Sequence, residues 1–246
     1  MSGGLEEIQK RNSEWYVCAA FFVWQAFVIP IFIFSEVVMT NANRQKRSAG
    51  LHILVECAMM VALGTVLSLI KVYEAPFGGS VTLLSMAPVI FVSMRHGVRT
   101  GFAAGFVYAV LQLILGLANV GWVPDLMGKF LCILLDYLLP FTMLGAAGLF
   151  RNLRFFKNER TNAMVTALLG TLLVCLFRFA CHILSGVVIW YALDLEWYAD
   201  DPTHIVNQYS EWIFSIIYNA GFMVPEILET CIGVPLLMPA LLKIRK

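Results

Sequence analysis

The chain has 246 residues, of which 60% are apolar and only 13% are charged, and its mean hydropathy is +0.79. A soluble domain normally carries about twice that charged fraction, so the composition excludes an ordinary water-soluble domain and indicates a protein surrounded by lipid. The formal net charge of +1 does not indicate nucleic acid or another strongly charged macromolecule as a partner.

Apolar segments that approach the roughly 20 residues of a bilayer-spanning helix follow one another along the whole chain. They cover residues 15–38, 52–70, 81–94, 101–117, 126–150, 164–190 and 212–242. The third is short, and the last contains three prolines that predict a kink. We therefore predict an all-α membrane protein with a bundle of six transmembrane helices at 51–246. The extension at 1–50 would add one N-terminal transmembrane helix and a basic linker, although a natural start at Met39 fits equally well.

The charged residues alternate between the loops. Basic loops are cytoplasmic under the positive-inside rule, so the core should begin and end inside, with a cytoplasmic C-terminus. The other connections are acidic, which would raise the local concentration of a cationic solute at the outer face. The basic loops contain Arg44, Lys46, Arg47, Arg95, Arg99, Arg151, Arg154, Lys157, Arg160, Lys243, Arg245 and Lys246. The acidic connections contain Glu74, Asp125, Asp194, Glu196, Asp200, Asp201 and Glu211.

Sequence motifs for catalysis or metal binding are missing. The six cysteines lie in apolar runs without CxxC or CxxH spacing, which makes a zinc or redox site a weak interpretation. The sequence has no Walker A motif, no HExxH and no GxSxG. We therefore predict no catalytic residue, no metal and no ATPase activity of its own.

Ionisable residues inside the predicted spans are costly in a bilayer and indicate a function. The clearest are Asp136, Arg178, His182, Glu226 and Glu229. Asp136 is either an ion-pair partner of Arg178 or a counter-ion for a bound cation. Arg178 and His182 are four residues apart and therefore share one helix face. Glu226 follows Pro225 and could accept hydrogen bonds from backbone donors at the kink.

Three other features each allow two interpretations. Trp190 and its aromatic neighbours form an interfacial belt or stack on a ligand. Asn219, next to Tyr218, joins two helices or offers its amide to a heterocycle. Ala58 and Ala62 form a small-xxx-small face for close helix approach. The connection KVYEAPFGGS at 71–80 is a lid or an ordinary turn.

The segment 55–101, with GGSVTLLSM followed by RHG, resembles the ThiT family. These proteins are the thiamine-specific substrate-binding (S) components of energy-coupling factor (ECF) transporters. LLDYLLPF at 134–141, FRFACHILSGVVIW at 177–190 and YNAGFMVPE at 218–226 agree with the same family, and the H-x-x-S-G-x-x-x-W spacing is fairly specific.

The resemblance implies a six-helix S component in the bacterial plasma membrane that binds thiamine at its outer side. A transmembrane coupling protein and two cytoplasmic ABC-type ATPases would supply the energy, so ATP is used by the partners and no cofactor is expected. By the same resemblance, Ala58 and Ala62 match the motif that docks on the coupling protein.

Ligand-contacting positions of the family match Asp136, Tyr137, His182, Trp190 and Asn219, with Tyr218 beside the last. The family often has glutamate at the position of Asp136. A tryptophan of the first outer loop has no match, and Tyr73 or Phe77 is the expected substitute. Asp136 would offset the cationic thiazolium, His182 and Trp190 would stack on the rings, and Asn219 would pair with the pyrimidine.

Two other functions remain open from the sequence. One is an S component of the same fold for another heterocyclic vitamin or precursor, such as hydroxymethylpyrimidine. The other is an intramembrane enzyme in which Asp136 and His182 form an acid–base pair.

Overall fold

The computed structural model describes residues 48–75 and 78–243. The predicted extra span at 15–38 lies outside the described residues. The helices and strands are α1 (Ser48–Ser68), β1 (Lys71–Glu74), β2 (Ser80–Thr82), α2 (Ala87–His96), α3 (Val98–Leu115), α4 (Leu117–Trp122), α5 (Leu126–Phe150), α6 (Glu159–Trp197), α7 (Ile205–Gln208) and α8 (Glu211–Lys243).

Most of the predicted spans are confirmed. Within 48–75 and 78–243, five helices are long and apolar enough to cross a membrane, namely α1, α3, α5, α6 and α8. These segments are helical because a helix pairs its own backbone polar groups in lipid, and about 20 apolar residues cross the hydrocarbon layer. The long helices therefore lie where the sequence predicts them. Helix α8 runs through Pro225, Pro235 and Pro239 as one continuous helix.

The span predicted at 81–94 is wrong in its extent. Its first residues form β2, and the chain turns at Leu84, which has a φ of 53°. The helix that follows, α2, has only 10 residues, about 15 Å at 1.5 Å per residue, which is half the thickness of the hydrocarbon layer. Val89, Ile90 and Val92 are fully buried. Helix α2 is apolar because it lies inside the bundle, where it is the sixth helix of the core.

Short polar contacts fix α2 at the basic end of the bundle. Glu56 of α1 pairs with Arg95 at 2.9 Å and with His96 at 3.0 Å. Ser93 donates a hydrogen bond to the carbonyl of Gly145 and accepts one from the N–H of Gly148 at 2.9 Å. Helix α2 is therefore held between α1 and the C-terminal end of α5.

Two of the spanning helices are not uniform α-helices. Helix α5 contains a π-helical turn at Ile133–Leu138 and ends in a 3₁₀ segment at Met143–Phe150. Helix α6 contains a second π-helical turn at Gly186–Trp190. Such turns re-aim side chains and are frequent at functional sites.

The 71–80 connection forms an antiparallel hairpin of β1 and β2. Gly78 and Gly79 have φ values of 91° and 89°, in the left-handed region that favours glycine. A Cβ at Gly79 would come within 2.6 Å of the Phe222 ring, so the hairpin turn lies directly against α8. Tyr218 strengthens this contact, since its hydroxyl donates to the carbonyl of Gly78 at 3.2 Å.

Candidate functional site

A cavity lies between the hairpin, the hairpin-facing end of α3 and the facing halves of α5, α6 and α8. It opens at the end of the bundle opposite the Glu56–Arg95 contact. The structure brings together six of the residues predicted for the ligand site, and these are Asp136, Tyr137, His182, Trp190, Tyr218 and Asn219. Their sequence positions span 84 residues, and the packing of three separate helices makes them one site.

Asp136 is the main acceptor in this cavity. It lies on the π-helical turn of α5, and its side chain is 14% exposed. Ser185 donates to its Oδ2 at 2.6 Å, the indole N–H of Trp190 donates at 3.0 Å, and the thiol of Cys132 donates at 3.5 Å. A carboxylate offers about four lone-pair positions over its two oxygens, and these donors, all directed at Oδ2, hold the group in place.

The ion pair proposed between Asp136 and Arg178 is not formed. Arg178 instead pairs with Glu226 of α8, with 3.6 Å between Nη1 and Oε1. The guanidinium of Arg178 also lies over the ring of Phe141 at 4.7 Å. His182 lies between Asp136 and Arg178, because its Nδ1 is 3.0 Å from Oδ1 of Asp136 and its Nε2 accepts from Nε of Arg178 at 3.3 Å.

The sequence suggested that Glu226 accepts hydrogen bonds from backbone donors at the Pro225 kink, but its partners lie on the hairpin. It reaches the hairpin, where its carboxylate accepts from the backbone N–H of Thr82 at 2.7 Å and from the Thr82 hydroxyl at 2.9 Å. Glu229 accepts from the backbone N–H of Leu84. Two carboxylates of α8 therefore accept hydrogen bonds from backbone N–H groups at the end of β2 and in the turn that follows it.

Asn219 joins α8 to α6. Its amide nitrogen donates to the carbonyl of His182 at 3.2 Å and to the carbonyl of Ser215 at 2.9 Å. Gly186 makes this contact possible, because a Cβ there would overlap the hydroxyl of Ser215 and approach the amide of Asn219 to 3.1 Å. The helix-joining interpretation of Asn219 is confirmed, and the side chain also lines the cavity.

Tyr137 ties α5 to the junction between α3 and α4. Its hydroxyl donates to the carbonyl of Gly116 at 3.1 Å and accepts from the amide of Asn119 at 3.4 Å. The consecutive residues Asp136 and Tyr137 both line the cavity from the π-helical turn of α5.

Tyr73 does not reach the cavity. It lies on β1 opposite Val81 and is half exposed, while its neighbours Lys71 and Glu74 line the opening and form an ion pair of 2.6 Å. A β-bulge between Lys71 and Tyr73 changes the alternation of side chains on this strand. Phe77, the other expected substitute for the missing tryptophan, lies outside the described residues.

Sequence reasoning missed several polar residues of the cavity wall, among them Ser68, Thr82, Ser85, Tyr108 and Gln112. Serine, threonine and glutamine are common in apolar helices, so nothing in the spacing identified them. Ser185 is part of the H-x-x-S-G-x-x-x-W spacing, but its hydrogen bond to Asp136 depends on how α6 packs against α5.

The acidic residues at the cavity end have mixed roles. Asp125 caps α5 by accepting from the N–H of Gly128 at 2.6 Å, and Asp194 is buried. Asp201 accepts from the hydroxyl and the N–H of Thr203 at 2.6 and 2.9 Å. These hydrogen bonds hold the pKa of the Asp201 carboxyl below its usual value, so this surface keeps its negative charge in mildly acidic solution.

Within residues 48–75 and 78–243, no group of three or more His, Cys, Asp or Glu side chains is arranged to hold a metal ion. The polar groups of the cavity are instead suited to a small organic ligand, because a few fixed donors and acceptors stand among aromatic and aliphatic walls.

Comparison with known proteins agrees with this geometry. The sequence model of the thiamine transporter protein family (Thia_YuaJ) matches residues 54–246. The thiamine transporter ThiT of Bacillus subtilis (strain 168) is 29% identical over 198 residues, covering 77% of this chain and 93% of the relative. ThiT of Lacticaseibacillus paracasei is 30% identical over 141 residues, covering 55% of this chain and 62% of the relative.

A solved structure of ThiT from Listeria monocytogenes has the same fold, with a TM-score of 0.60 and 23% identity. The match covers 79% of this chain and 97% of the Listeria chain. The sequence match begins after the first predicted span and includes the residues that line the cavity. The chain therefore belongs to the thiamine transporter protein family.

Proposed function

We propose that this protein is the thiamine-capturing S component of an ECF-type importer in the bacterial plasma membrane. The observation that carries the proposal is the Asp136 carboxylate, held by donors from Ser185 and Trp190 inside a largely apolar bundle. A fixed negative charge in such surroundings is costly unless a cation offsets it. The relatives are named thiamine transporters, and thiamine carries a permanent cation, which supports thiamine as that ligand.

The rest of the cavity supports the same ligand. Thiamine has a cationic thiazolium, a flat aminopyrimidine and a hydroxyethyl tail. Phe214, Tyr218 and Phe222 provide aromatic wall on α8, and Trp190 provides it on α6. Flat heterocycles gain free energy from aromatic faces beyond the area they bury. The indole N–H of Trp190 is already used by Asp136, so the ring orientation is fixed before the ligand binds.

The charge distribution supports capture from outside the cell. Arg151, Arg154 and Lys157 are exposed in the loop that joins α5 to α6, and Arg160 is exposed in the first turn of α6, at the end away from the cavity. Under the positive-inside rule this end faces the cytoplasm, which places the cavity mouth and the Asp201 surface outside and the end of α8 inside. An acidic outer surface attracts a cationic vitamin and repels an anionic one.

Transport needs partners in this proposal, because the sequence has no Walker A motif. Helix α1 is the least buried of the spanning helices and exposes Leu54, Met59 and Leu63 beside Ala58 and Ala62. Small residues next to exposed apolar ones permit close helix packing. We assign this face to the transmembrane coupling protein, which would act with two cytoplasmic ABC-type ATPases.

A competition experiment tests the substrate. Purified full-length protein should bind thiamine without ATP in isothermal titration calorimetry, and excess hydroxymethylpyrimidine should displace it poorly. Binding of thiamine at a stoichiometry of one supports the proposal. Tight binding of hydroxymethylpyrimidine without thiamine binding would instead assign the protein to the precursor, and turnover of either compound would indicate an enzyme.

A further inference from the structure

Arg178 fixes the state of the imidazole next to the ligand carboxylate. Nε of Arg178 donates to Nε2 of His182 at 3.3 Å. An arginine guanidinium has donors and no acceptor, and it stays protonated in proteins. Nε2 of His182 must therefore offer a lone pair, so the proton of a neutral imidazole is on Nδ1. Nδ1 is 3.0 Å from Oδ1 of Asp136 and donates to it.

The alternative states of His182 conflict with this arrangement. A proton on Nε2 would point at the N–H of Arg178, leaving two donors facing each other. An imidazolium would also add a positive charge 3.3 Å from the guanidinium. Both charges would be inside the bundle, since Arg178 and His182 are only 6% and 9% exposed. Repulsion is strong where little water screens it.

Further contacts of its guanidinium hold Arg178 beside His182. Nη1 lies 3.6 Å from Oε1 of Glu226 and 3.1 Å from Sδ of Met86, and the group stacks over Phe141 at 4.7 Å. Glu226 is itself held by the backbone and hydroxyl of Thr82. The hairpin, α8, α6 and α5 are thus joined by one chain of polar contacts that ends at Asp136.

We propose that Arg178 is a positioning residue that keeps His182 neutral with its proton on Nδ1, so that Asp136 keeps its charge for the ligand cation. The charges explain the benefit. Asp136, Arg178 and Glu226 together carry one net negative charge when His182 is neutral, and none when it is an imidazolium. A neutral His182 therefore leaves one charge for a monovalent cation to offset. This benefit rests on the proposed function, but the state of His182 does not.

Nitrogen-15 NMR of histidine-labelled, full-length protein in detergent measures that state at pH 7. A protonated imidazole nitrogen and one with a free lone pair differ strongly in chemical shift. The His182→Gln variant identifies the His182 signals by their loss. We expect one protonated nitrogen, Nδ1, and a lone pair on Nε2. A proton on Nε2 in the unaltered protein would overturn the proposal, whatever the variants do.

The variant to compare is Arg178→Met combined with Glu226→Gln, which removes both charges and leaves no unpaired ion in the bundle. Nε2 of His182 should gain a proton in part of the population, and thiamine binding should weaken on the order of tenfold, as after loss of a charged hydrogen-bond partner. An unchanged His182 in the folded variant would overturn the role of Arg178. Arg95→Gln is the control, because Arg95 is also paired with a glutamate but lies at the other end of the bundle.

The two proposals fail separately. If His182 has the expected state and responds to the variant, but thiamine does not bind to the unaltered protein, the role of Arg178 stands and the proposed substrate is wrong. If thiamine binds and His182 is an imidazolium, the substrate stands and the positioning role is wrong.

Discussion

The indole N–H of Trp190 donates a hydrogen bond of 3.0 Å to Oδ2 of Asp136, which joins the π-helical turns of α6 and α5. This hydrogen bond has two consequences. The tryptophan ring is held in one orientation at the cavity wall, and the carboxylate is held where three helices meet. Both parts of the candidate site are therefore in place before a ligand arrives, which reduces the ordering cost of binding.

Asp136→Asn should weaken thiamine binding by about 1.5–3 kcal/mol, the usual value of a hydrogen bond to a charged group. Asparagine has about the same size but only one acceptor oxygen, and its NH₂ would face a donor from His182, Ser185 or Trp190. Calorimetry of the purified variant measures the loss. Asp200→Asn, in the exposed segment that follows α6, is the control, and equal affinities of the two variants would contradict the role of Asp136.

Tyr218→Phe should speed thiamine dissociation about two- to tenfold, because a neutral hydrogen bond contributes about 0.5–1.5 kcal/mol. The lost bond is the one from the Tyr218 hydroxyl to the carbonyl of Gly78, which holds the hairpin turn against α8. Stopped-flow fluorescence gives the rate. Tyr191→Phe removes a similar hydroxyl-to-carbonyl bond, to Tyr209, outside the cavity and should leave the rate unchanged.

Gly186→Ala should lower stability by about 1–3 kcal/mol, the cost of overpacking a close contact. The added methyl group would overlap Ser215 and push α8 away from α6, which displaces Asn219. The unfolding temperature in detergent and the affinity for thiamine should both decrease. Gly221→Ala is matched to it, since nothing lies within 4 Å of the added Cβ at that position, and it should be neutral or slightly stabilising.

Ala62→Trp should separate binding from transport. The larger side chain would block close approach to α1, so ATP-dependent thiamine uptake in cells should fall about tenfold or more, as expected for an overpacked interface. Thiamine binding by the isolated protein should not change, because Ala62 is not part of the cavity wall. Normal uptake by Ala62→Trp, or loss equal to that of an Ala192→Trp control on α6, would contradict the assigned docking face.

The sequence predicted the long helices well because twenty apolar residues in a row have one stable solution in a bilayer. It did not predict the short α2, because its apolar residues are buried by protein instead of lipid, and hydropathy cannot distinguish the two environments. Six of the seven predicted ligand-site residues line the cavity, since a buried polar side chain is conspicuous in an apolar span.

The partners of those residues were less predictable. Arg178 pairs with Glu226, not with Asp136, and Glu226 contacts Thr82 at a separation of 144 residues. Such contacts depend on the rotation of each helix about its axis. The π-helical turns at Ile133–Leu138 and Gly186–Trp190 change that rotation inside the site, and neither segment contains a residue pattern that distinguishes a π-helical turn from an α-helix.

The proposed function requires that the cavity bind thiamine through its positive charge. The most direct measurement is a calorimetric titration of the full-length protein with thiamine and with its neutral analogue, in which a thiophene replaces the thiazolium. We expect thiamine to bind more tightly by about 1.5–3 kcal/mol, and Asp136→Asn to remove most of this difference. Equal affinity for the two compounds, or no thiamine binding, would contradict the proposed function.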